Sequence, residues 1–554
     1  MSSDPLVLGP LLRYVDETSA AIWVETRSAG EVVVQAAGRT WSSRTFAAHG
    51  HHYALVSVDE LEPGSIQEYA VSVNGVHAWP SPDSAYPPSR IATIKPGKEL
   101  RLAFGSCRTS VPHDAAGNRA HGVDALRAYA LRMAADDHEP WSDLVLFLGD
   151  QVYADETSDE MQEFIKARRD INEPPGTELK DFTEYAYLYE LAWSEPANRW
   201  LLSTIPSAMI FDDHDIRDDW NTSATWRARM KATSWWEDRI VGGLASYWIY
   251  QHLGNLSPAE RAEDEVWQFL ETGWESAAEP DITDMLSKFA ARADEFPDSY
   301  RWSYARDIGS TRLIVVDSRA ARVLQPDDRS ILDPKEMSWL QEQLQGGFDH
   351  VLIGTSLPFL LSPGLHLFEA WNEAVSSGAW GHRWSGFGEK LREAVDFEHW
   401  AAFQEGFVEV AEGVIEVAEG KRGPAPGTVT FLSGDVHNSY VAQVEPAYRT
   451  RIVQAVCSPI RNPLPRSVRY ITGFSSKKVG YHIGRLLARS AGVPPGPLTW
   501  RTTHGPWFDN SLATLETQGR DLVMRWERGT VDGDAGGDPI LEQVAEVRIS
   551  STRP

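Results

Sequence analysis

The stretch DLVLFLGDQVY (Asp143–Tyr153) decides the fold of this chain. Its apolar run, Leu144–Leu148, is typical of a strand buried on both faces of a sheet, and it ends abruptly at Gly149 and Asp150. One turn of chain brings the phenol of Tyr153 beside the Asp150 carboxylate. Taken alone, Asp150 is also consistent with a helix N-cap, and Tyr153 with a packing residue.

Further apolar runs end in the same way and alternate with longer amphipathic stretches, as in an α/β layered domain. Side chains at the carboxyl ends of strands converge on one crevice. If these strands share one sheet, we expect Cys107, Asp150, Tyr153, Asp213, Asp435 and His437 to lie together. The runs are LRLAFGSC (Leu100–Cys107), AMIFDDHD (Ala208–Asp215), RLIVVDSR (Arg312–Arg319), HVLIGTS (His350–Ser356) and TVTFLSGDVH (Thr428–His437).

The chain before these runs has a different pattern. Residues 1–97 contain short segments of period-two alternation with turn signals between them, which predicts a small β-sandwich. The segment LEPGSIQEYAVSV (Leu61–Val73) resembles the strand corner of fibronectin type III-like domains. We place a second domain at 98–554, with helical insertions near 155–200 and 222–300. The tryptophan-rich second insertion is expected to be core.

Composition limits the classes of partner. The chain has 554 residues, with 52 Lys and Arg against 79 Asp and Glu, for a net charge of −27. Binding to long nucleic acids is therefore not expected, because it needs clustered basic residues. An anionic substrate would need a locally positive site, which metal ions would supply. Two cysteines, Cys107 and Cys457, exclude a disulfide framework.

Targeting signals are also absent from the sequence. We find no apolar run of the roughly 18 residues that a membrane-spanning helix needs. The start MSSDPLVLGPLL has no basic segment followed by an apolar one. We therefore predict a cytoplasmic protein, with secretion as the alternative if a leader is missing from this sequence. No pattern in the sequence indicates an oligomeric state.

The segment FDDHDIRDDW (Phe211–Trp220) is strongly acidic and begins at a predicted strand end. Like charges beside a core are costly unless a cation compensates them, although a solvated acidic loop is the alternative. Oxygen-rich groups suit hard divalent ions, and phenolate with thiolate suits a ferric ion.

Arg108 and Arg217 are candidates to bind a phosphate oxygen, and Arg461 is a weaker one. The motifs of serine hydrolases, P-loops and dinucleotide-binding folds are missing.

An ordered set of motifs resembles the PhoD-type alkaline phosphatase/phosphodiesterase family over nearly the whole chain. The resemblance implies a calcineurin-like metallophosphatase αββα sandwich after a fibronectin- or Ig-like domain. It also implies hydrolysis of monoesters, diesters or both in a small phosphorylated substrate. The motifs are GSC (105–107), GDQVY (149–153), DDHD (212–215), YARDIG with RLIVVDSR (304–319), LDPKEMSWLQEQL (332–344) and SGDVH (433–437).

The resemblance also implies roles for residues. Asp150 would bridge the metals, and Cys107 and Tyr153 would ligate Fe3+. Asp213, Asp435 and His437 would complete the iron and Ca2+ sites, with other divalent metals possible. A metal-activated water would attack phosphorus, and His214 would stabilise the transition state or protonate the leaving oxygen. Where the family often reads D-D-H-E-x-x-N-N, Asp218 or Asp219 replaces a carboxamide, which adds negative charge.

Two other functions are compatible with the residues. The first is a non-catalytic binding protein that recognises a partner through its β-sandwich. The second is an oxidoreductase with one iron held by His214, His437 and a carboxylate. Chelating residue types at all the motif positions favour the hydrolase.

Overall fold

The N-terminal part of the chain is all β. This computed structural model describes residues 4–136, 140–325, 328–445, 448–464, 478–531, 533 and 536–550. One N-terminal sheet has the order β1-β2-β6-β5, and another has the order β4-β3-β7-β8, with β9 beside β7. Leu12, Ile22, Val34 and Val71 are buried together in their shared core. The strands are β1 Leu6–Val15, β2 Ala20–Thr26, β3 Glu31–Ala36, β4 Arg39–Arg44, β5 Phe46–Ala48, β6 His51–Val58, β7 Ile66–Val73, β8 Val76–Trp79 and β9 Arg90–Ala92.

The remaining strands form a mixed α/β fold. A sheet of order β12-β11-β10-β20-β21-β22 stacks against a sheet of order β13-β14-β15-β16-β18-β17-β19. The strands are β10 Arg101–Gly105, β11 Leu144–Leu148, β12 Ser207–Ile210, β13 Tyr304–Ile308, β14 Thr311–Val316, β15 His350–Thr355, β16 Thr428–Ser433, β17 Ser439–Val444, β18 Arg451–Val456, β19 Trp500–Trp507, β20 Ser511–Gln518, β21 Asp521–Val531 and β22 Pro539–Ile549.

The expectation of a single sheet is wrong. Strands β10, β11 and β12 belong to the first of these sheets, whereas β14, β15 and β16 belong to the second. Strands β12, β11 and β10 pair parallel to one another. This parallel pairing ends at β10, because the other edge of β10 pairs antiparallel with the C-terminal strand β20 through Leu102 and Leu515. The two sheets face each other closely. A Cβ on Gly354 of β15 would lie 3.1 Å from Leu148 Cδ2 of β11.

Helices cover the outer faces of this sheet pair. Leu126 and Tyr129 pack with Val145 outside the first sheet, and Leu340 and Val414 pack outside the second. The helices are α1 Ala115–His121, α2 Ala125–Ala135, α3 Asp159–Arg168, α4 Phe182–Trp193, α5 Pro196–Thr204, α6 Ala224–Lys231, α7 Trp236–Tyr247, α8 Pro258–Glu263, α9 Glu265–Ser276, α10 Thr283–Glu295, α11 Pro334–Gln343, α12 Pro363–Ser376, α13 His382–Ala394, α14 Gln404–Ala418 and α15 Lys478–Ser490.

The N-terminal sheets are continuous with the helical layer. Arg13 of β1 is fully buried, and its guanidinium donates to the carbonyl oxygens of Tyr250 at 3.1 Å and Gln251 at 2.6 Å. The Tyr250 hydroxyl donates to Glu25 at 2.8 Å. Trp226 and Trp248 are buried in this layer, which confirms that the tryptophan-rich insertion is core. Among the helices that the structure describes, none has the length and apolar composition needed to cross a lipid bilayer.

Candidate functional site

The polar residues that follow the strands lie in turns with left-handed backbone conformations. Cys107, Asp150, Asp435 and His437 have φ of 58°, 48°, 63° and 46°. Non-glycine residues in the left-handed region cost about 1–3 kcal/mol each and persist where the surroundings hold them, often at functional sites. Gly149 has a φ of 99°, and a Cβ there would lie 2.5 Å from Asp212 Cβ. The backbone is therefore shaped to bring these chain segments together.

A thiol, a phenol and a carboxylate meet after β10 and β11. Cys107 Sγ lies 3.3 Å from Asp150 Oδ2, and the Tyr153 hydroxyl lies 3.4 Å from the same oxygen. Cys107, Asp150 and His437 each offer a ligand atom within 4.8 Å of the others. Burial, followed by the charges of Asp150 and Asp435, raises the pKa of the Cys107 thiol well above its usual range. A bound cation would reverse that effect and favour the thiolate.

A group of carboxylates adjoins this cluster. Asp150, Asp212, Asp213 and Asp435 offer oxygens within 4.8 Å of one another, and Asp150 and Asp213 do so with His214. Asp150 Oδ1 and Asp212 Oδ2 are buried without a hydrogen-bond partner among the described residues. Burial raises the pKa of Asp150 well above its ordinary value, and Asp212 and Asp213 raise it further despite the opposing His214. Unpartnered buried oxygens in a like-charged group fit a cation site.

Arg319 compensates part of this charge, and the sequence reasoning did not assign it a role. It is fully buried after β14, with Nε 2.5 Å from Asp212 Oδ1 and a terminal nitrogen 3.0 Å from Asp213 Oδ1. A further ion pair joins it to Glu398, 2.7 Å away. The signal that could have identified it is its position at the end of the run RLIVVDSR, where other strands carry chelating groups.

Two histidines are held by carboxylates at the site. His214 Nδ1 lies 2.9 Å from Asp155 Oδ1, and its ring lies 4.7 Å from that of Tyr153. His399 Nδ1 lies 2.8 Å from Glu369, and its Nε2 lies 3.1 Å from Asp435 Oδ2. No local sequence pattern identifies His399, because it follows a helical stretch with no strand-end pattern around it.

The arginines proposed from sequence lie outside this cluster. Arg108 donates to Asp124 Oδ2 at 3.0 Å and to the Ala192 carbonyl at 2.7 Å. Arg217 pairs with both oxygens of Glu178 at 3.0 and 3.1 Å. Arg461 donates to backbone carbonyls, at 2.8 Å for Pro112. The structure therefore does not support the phosphate-binding role expected for them, because these contacts occupy their guanidinium groups.

A cavity of about 330 Å³ opens onto the cluster. Its polar lining includes Asp213, His214, Asp435 and His437. Apolar side chains, including that of Leu361, also line it. This volume suits a small ligand.

Asp218 and Asp219 stand where the resembled family often has a carboxamide. Asp218 lines the cavity, and Asp219 donates its backbone N–H to Asp213 Oδ2 at 2.9 Å. Burial and neighbouring carboxylates raise the pKa of Asp219 to about 9, whereas the Asp218 side chain is 66% exposed. The Asp219 Oδ1 atom is buried without a hydrogen-bond partner among the described residues. The additional carboxylates therefore increase the demand for a cation.

Known proteins share this architecture. A solved structure of PhoD is 12% identical with a TM-score of 0.59, and the alignment covers 100% of this chain and 91% of that one. The purple acid phosphatase PPD1 from yellow lupin (Lupinus luteus) seeds is 10% identical with a TM-score of 0.51, covering 98% of this chain and 74% of that one. At these identities, the similarity shows the fold.

Sequence comparison adds the family. No curated protein matches this chain. Residues 3–91 match a domain of unknown function, DUF7800. Residues 115–469 match the family described as PhoD-like phosphatase. Because this match covers more than half of the sequence, the chain belongs to the PhoD-like phosphatase family.

Proposed function

We propose that this protein is a metal-dependent hydrolase of phosphate monoesters, diesters or both, acting on a small phosphorylated substrate. The observation that carries the proposal is the gathering of thiol, phenol, imidazole and carboxylate groups with unpartnered buried oxygens at the cavity. Family membership supports the same chemistry. A purely partner-binding role would not need such a costly cluster of buried acids.

The donor set suggests which residues would hold metal ions. Cys107, Tyr153, Asp150 and His437 would suit Fe3+, because thiolate and phenolate are its typical protein ligands. Asp150, Asp212, Asp213 and Asp435 would suit Ca2+ or another hard divalent ion. When bound, such ions would lower the pKa of water and neutralise charge on the phosphoryl oxygens.

His214 is the proposed proton donor to the leaving oxygen. Its ring is fixed by the hydrogen bond to Asp155, so Nδ1 is occupied and Nε2 remains available beside Asp218 at 3.8 Å. Both His214 and Asp218 line the cavity. A donor held in this way reaches the substrate without a change in its own geometry.

Replacing Asp150 tests the assignment. In Asp150→Asn, hydrolysis of an aryl phosphate should fall by at least about a hundredfold, the scale on which loss of one electrostatic group lowers kcat. Asp284→Asn, an exposed carboxylate on α10, is the matched control and should keep full activity. Circular dichroism should show that both variants are folded. Full activity in Asp150→Asn would refute the proposed role.

A pair of substrates tests the reaction class. The purified protein should be assayed with a monoester and a diester of the same aryl alcohol, with Fe3+ and Ca2+ supplied. Hydrolysis of either supports the proposal, and the ratio of kcat/KM gives the preference. No hydrolysis of either by metal-loaded protein would contradict the proposal and favour a binding role.

A further inference from the structure

A second cavity, of about 540 Å³, lies between α6, the end of α12 and α13. Among the described residues, it shares no lining residue with the 330 Å³ cavity at the candidate metal site. Four basic side chains line it against two acidic ones, although the chain as a whole is strongly acidic. The basic residues are Arg229, Arg329, Lys390 and Arg392, and the acidic ones are Glu389 and Glu393.

Arg329 is the strongest indication of a ligand. Its side chain is 7% exposed and stacks 3.9 Å over the ring of Phe403. It donates to the backbone carbonyls of Thr222 at 2.8 Å and Ala402 at 3.3 Å. In the part of the chain that the structure describes, its guanidinium has no ion pair within 4.0 Å, and the carboxylates of Glu373 and Glu389 act on it from farther away. A buried guanidinium without a directly paired carboxylate is costly.

Arg392 adds a second buried guanidinium beside it. Its side chain is 3% exposed, and one terminal nitrogen pairs with Glu389 at 2.9 Å. Its Nε is buried without a hydrogen-bond partner among the described residues, and the same holds for the hydroxyl oxygen of Ser376. The charge of Arg392 also opposes that of Arg329, because after burial it is the largest influence that lowers the pKa of Arg329. Among the described residues, the two guanidinium groups therefore have one directly paired carboxylate between them, that of Glu389.

We propose that this cavity is a second, anion-binding site that takes a phosphate group, either free or carried by a small molecule. Guanidinium groups recognise phosphate oxygens with charge-assisted hydrogen bonds. Ser376, Ser377 and Ser385 line the same cavity and supply hydroxyl donors. The surplus of positive charge favours a doubly charged oxyanion over a carboxylate. The inference does not depend on the proposed hydrolysis.

Calorimetric titration of the full-length, metal-containing protein tests this site. The probes are inorganic phosphate and phenylphosphonate, whose carbon–phosphorus bond the enzyme cannot hydrolyse. Arg392→Gln should weaken one binding event by at least about tenfold, about 1.4 kcal/mol, while aryl phosphate hydrolysis persists. Arg548→Gln, an exposed arginine on β22, is the control and should bind as the wild type does. Tighter binding of phosphate would identify free phosphate as the ligand. Tighter binding of phenylphosphonate would identify a phosphate group carried by a small molecule.

A second variant tests the same site if Arg392→Gln does not fold. Lys390→Glu changes an exposed residue of α13 that lines the cavity, and it should also weaken the same binding event. Wild-type binding in both variants would overturn the proposal. Binding of sulfate as tight as that of phosphate would overturn the assignment of a phosphate group.

Discussion

Arg319 links three carboxylates at the candidate metal site, namely Asp212, Asp213 and Glu398. Arg319→Met would leave these buried charges uncompensated, so we expect the free energy of unfolding to fall by about 3–5 kcal/mol. Urea unfolding measures this. The control Arg520→Met removes a half-exposed ion pair with Asp349 and should change stability by less than about 1 kcal/mol. Equal stability of the two variants would contradict the role of Arg319.

His399 is a positioning residue for Asp435. Removing its hydrogen bond in His399→Leu should weaken metal binding about 10- to 100-fold, as loss of partners behind metal ligands typically does. Metal content after dialysis against a graded chelator measures the affinity. His504→Leu, which replaces an exposed histidine on β19, should retain the wild-type metal content. Unchanged metal retention in His399→Leu would argue that Asp435 is not a ligand.

At the residue scale, sequence reasoning could propose the strand-end groups but not their supporting partners. Cys107, Asp150 and His437 are recognisable because each comes two to four residues after the end of a buried strand. Arg319 and His399 act through pairs separated by long stretches of chain, such as Arg319 with Asp212. No local pattern encodes such pairs, because packing of distant elements creates them. The contacts of Arg108 with Asp124 and of Arg217 with Glu178 were not foreseeable for the same reason.

Gly149 shows how one element shapes the site. Gly149→Ala would place a Cβ 2.5 Å from Asp212 Cβ in a backbone with a φ of 99°. Gly492→Ala is a matched control, because it has a φ of 77° and no neighbour within 4 Å. Both variants should lose about 1–2 kcal/mol from backbone strain, and Gly149→Ala should lose more and also lose metal. Thermal unfolding and metal content give the comparison. Similar losses in both would contradict the close approach of Gly149 and Asp212.

At the element scale, local pattern predicted the strands but not how they pair. The apolar runs after residue 98 form strands β10, β11, β12, β14, β15 and β16, as expected. Their division between two sheets depends on the C-terminal strand β20, which pairs with β10 although it lies about 400 residues later. A pattern of apolar runs carries no information about such a distant partner.

At the scale of the whole molecule, we expect residues 1–97 to be required for folding of the rest. Leu8, Trp23 and Tyr53 belong to the same buried cluster as helix residues of the α/β part. Deleting residues 1–97 would expose this apolar surface and the polar partners of Arg13, so the product should aggregate. Size-exclusion chromatography measures this outcome. A soluble, monodisperse and active truncation would show that the proposed boundary at 97 separates independent domains.

The most direct test of the account is elemental analysis of the purified protein, together with its visible spectrum. We predict at least two metal ions per chain, including iron, and a charge-transfer band that Tyr153→Phe removes or shifts. Asp150→Asn should lose both metal and activity. Metal-free wild-type protein that hydrolyses an aryl phosphate at full rate would contradict the claim that these side chains work as a shared cation site.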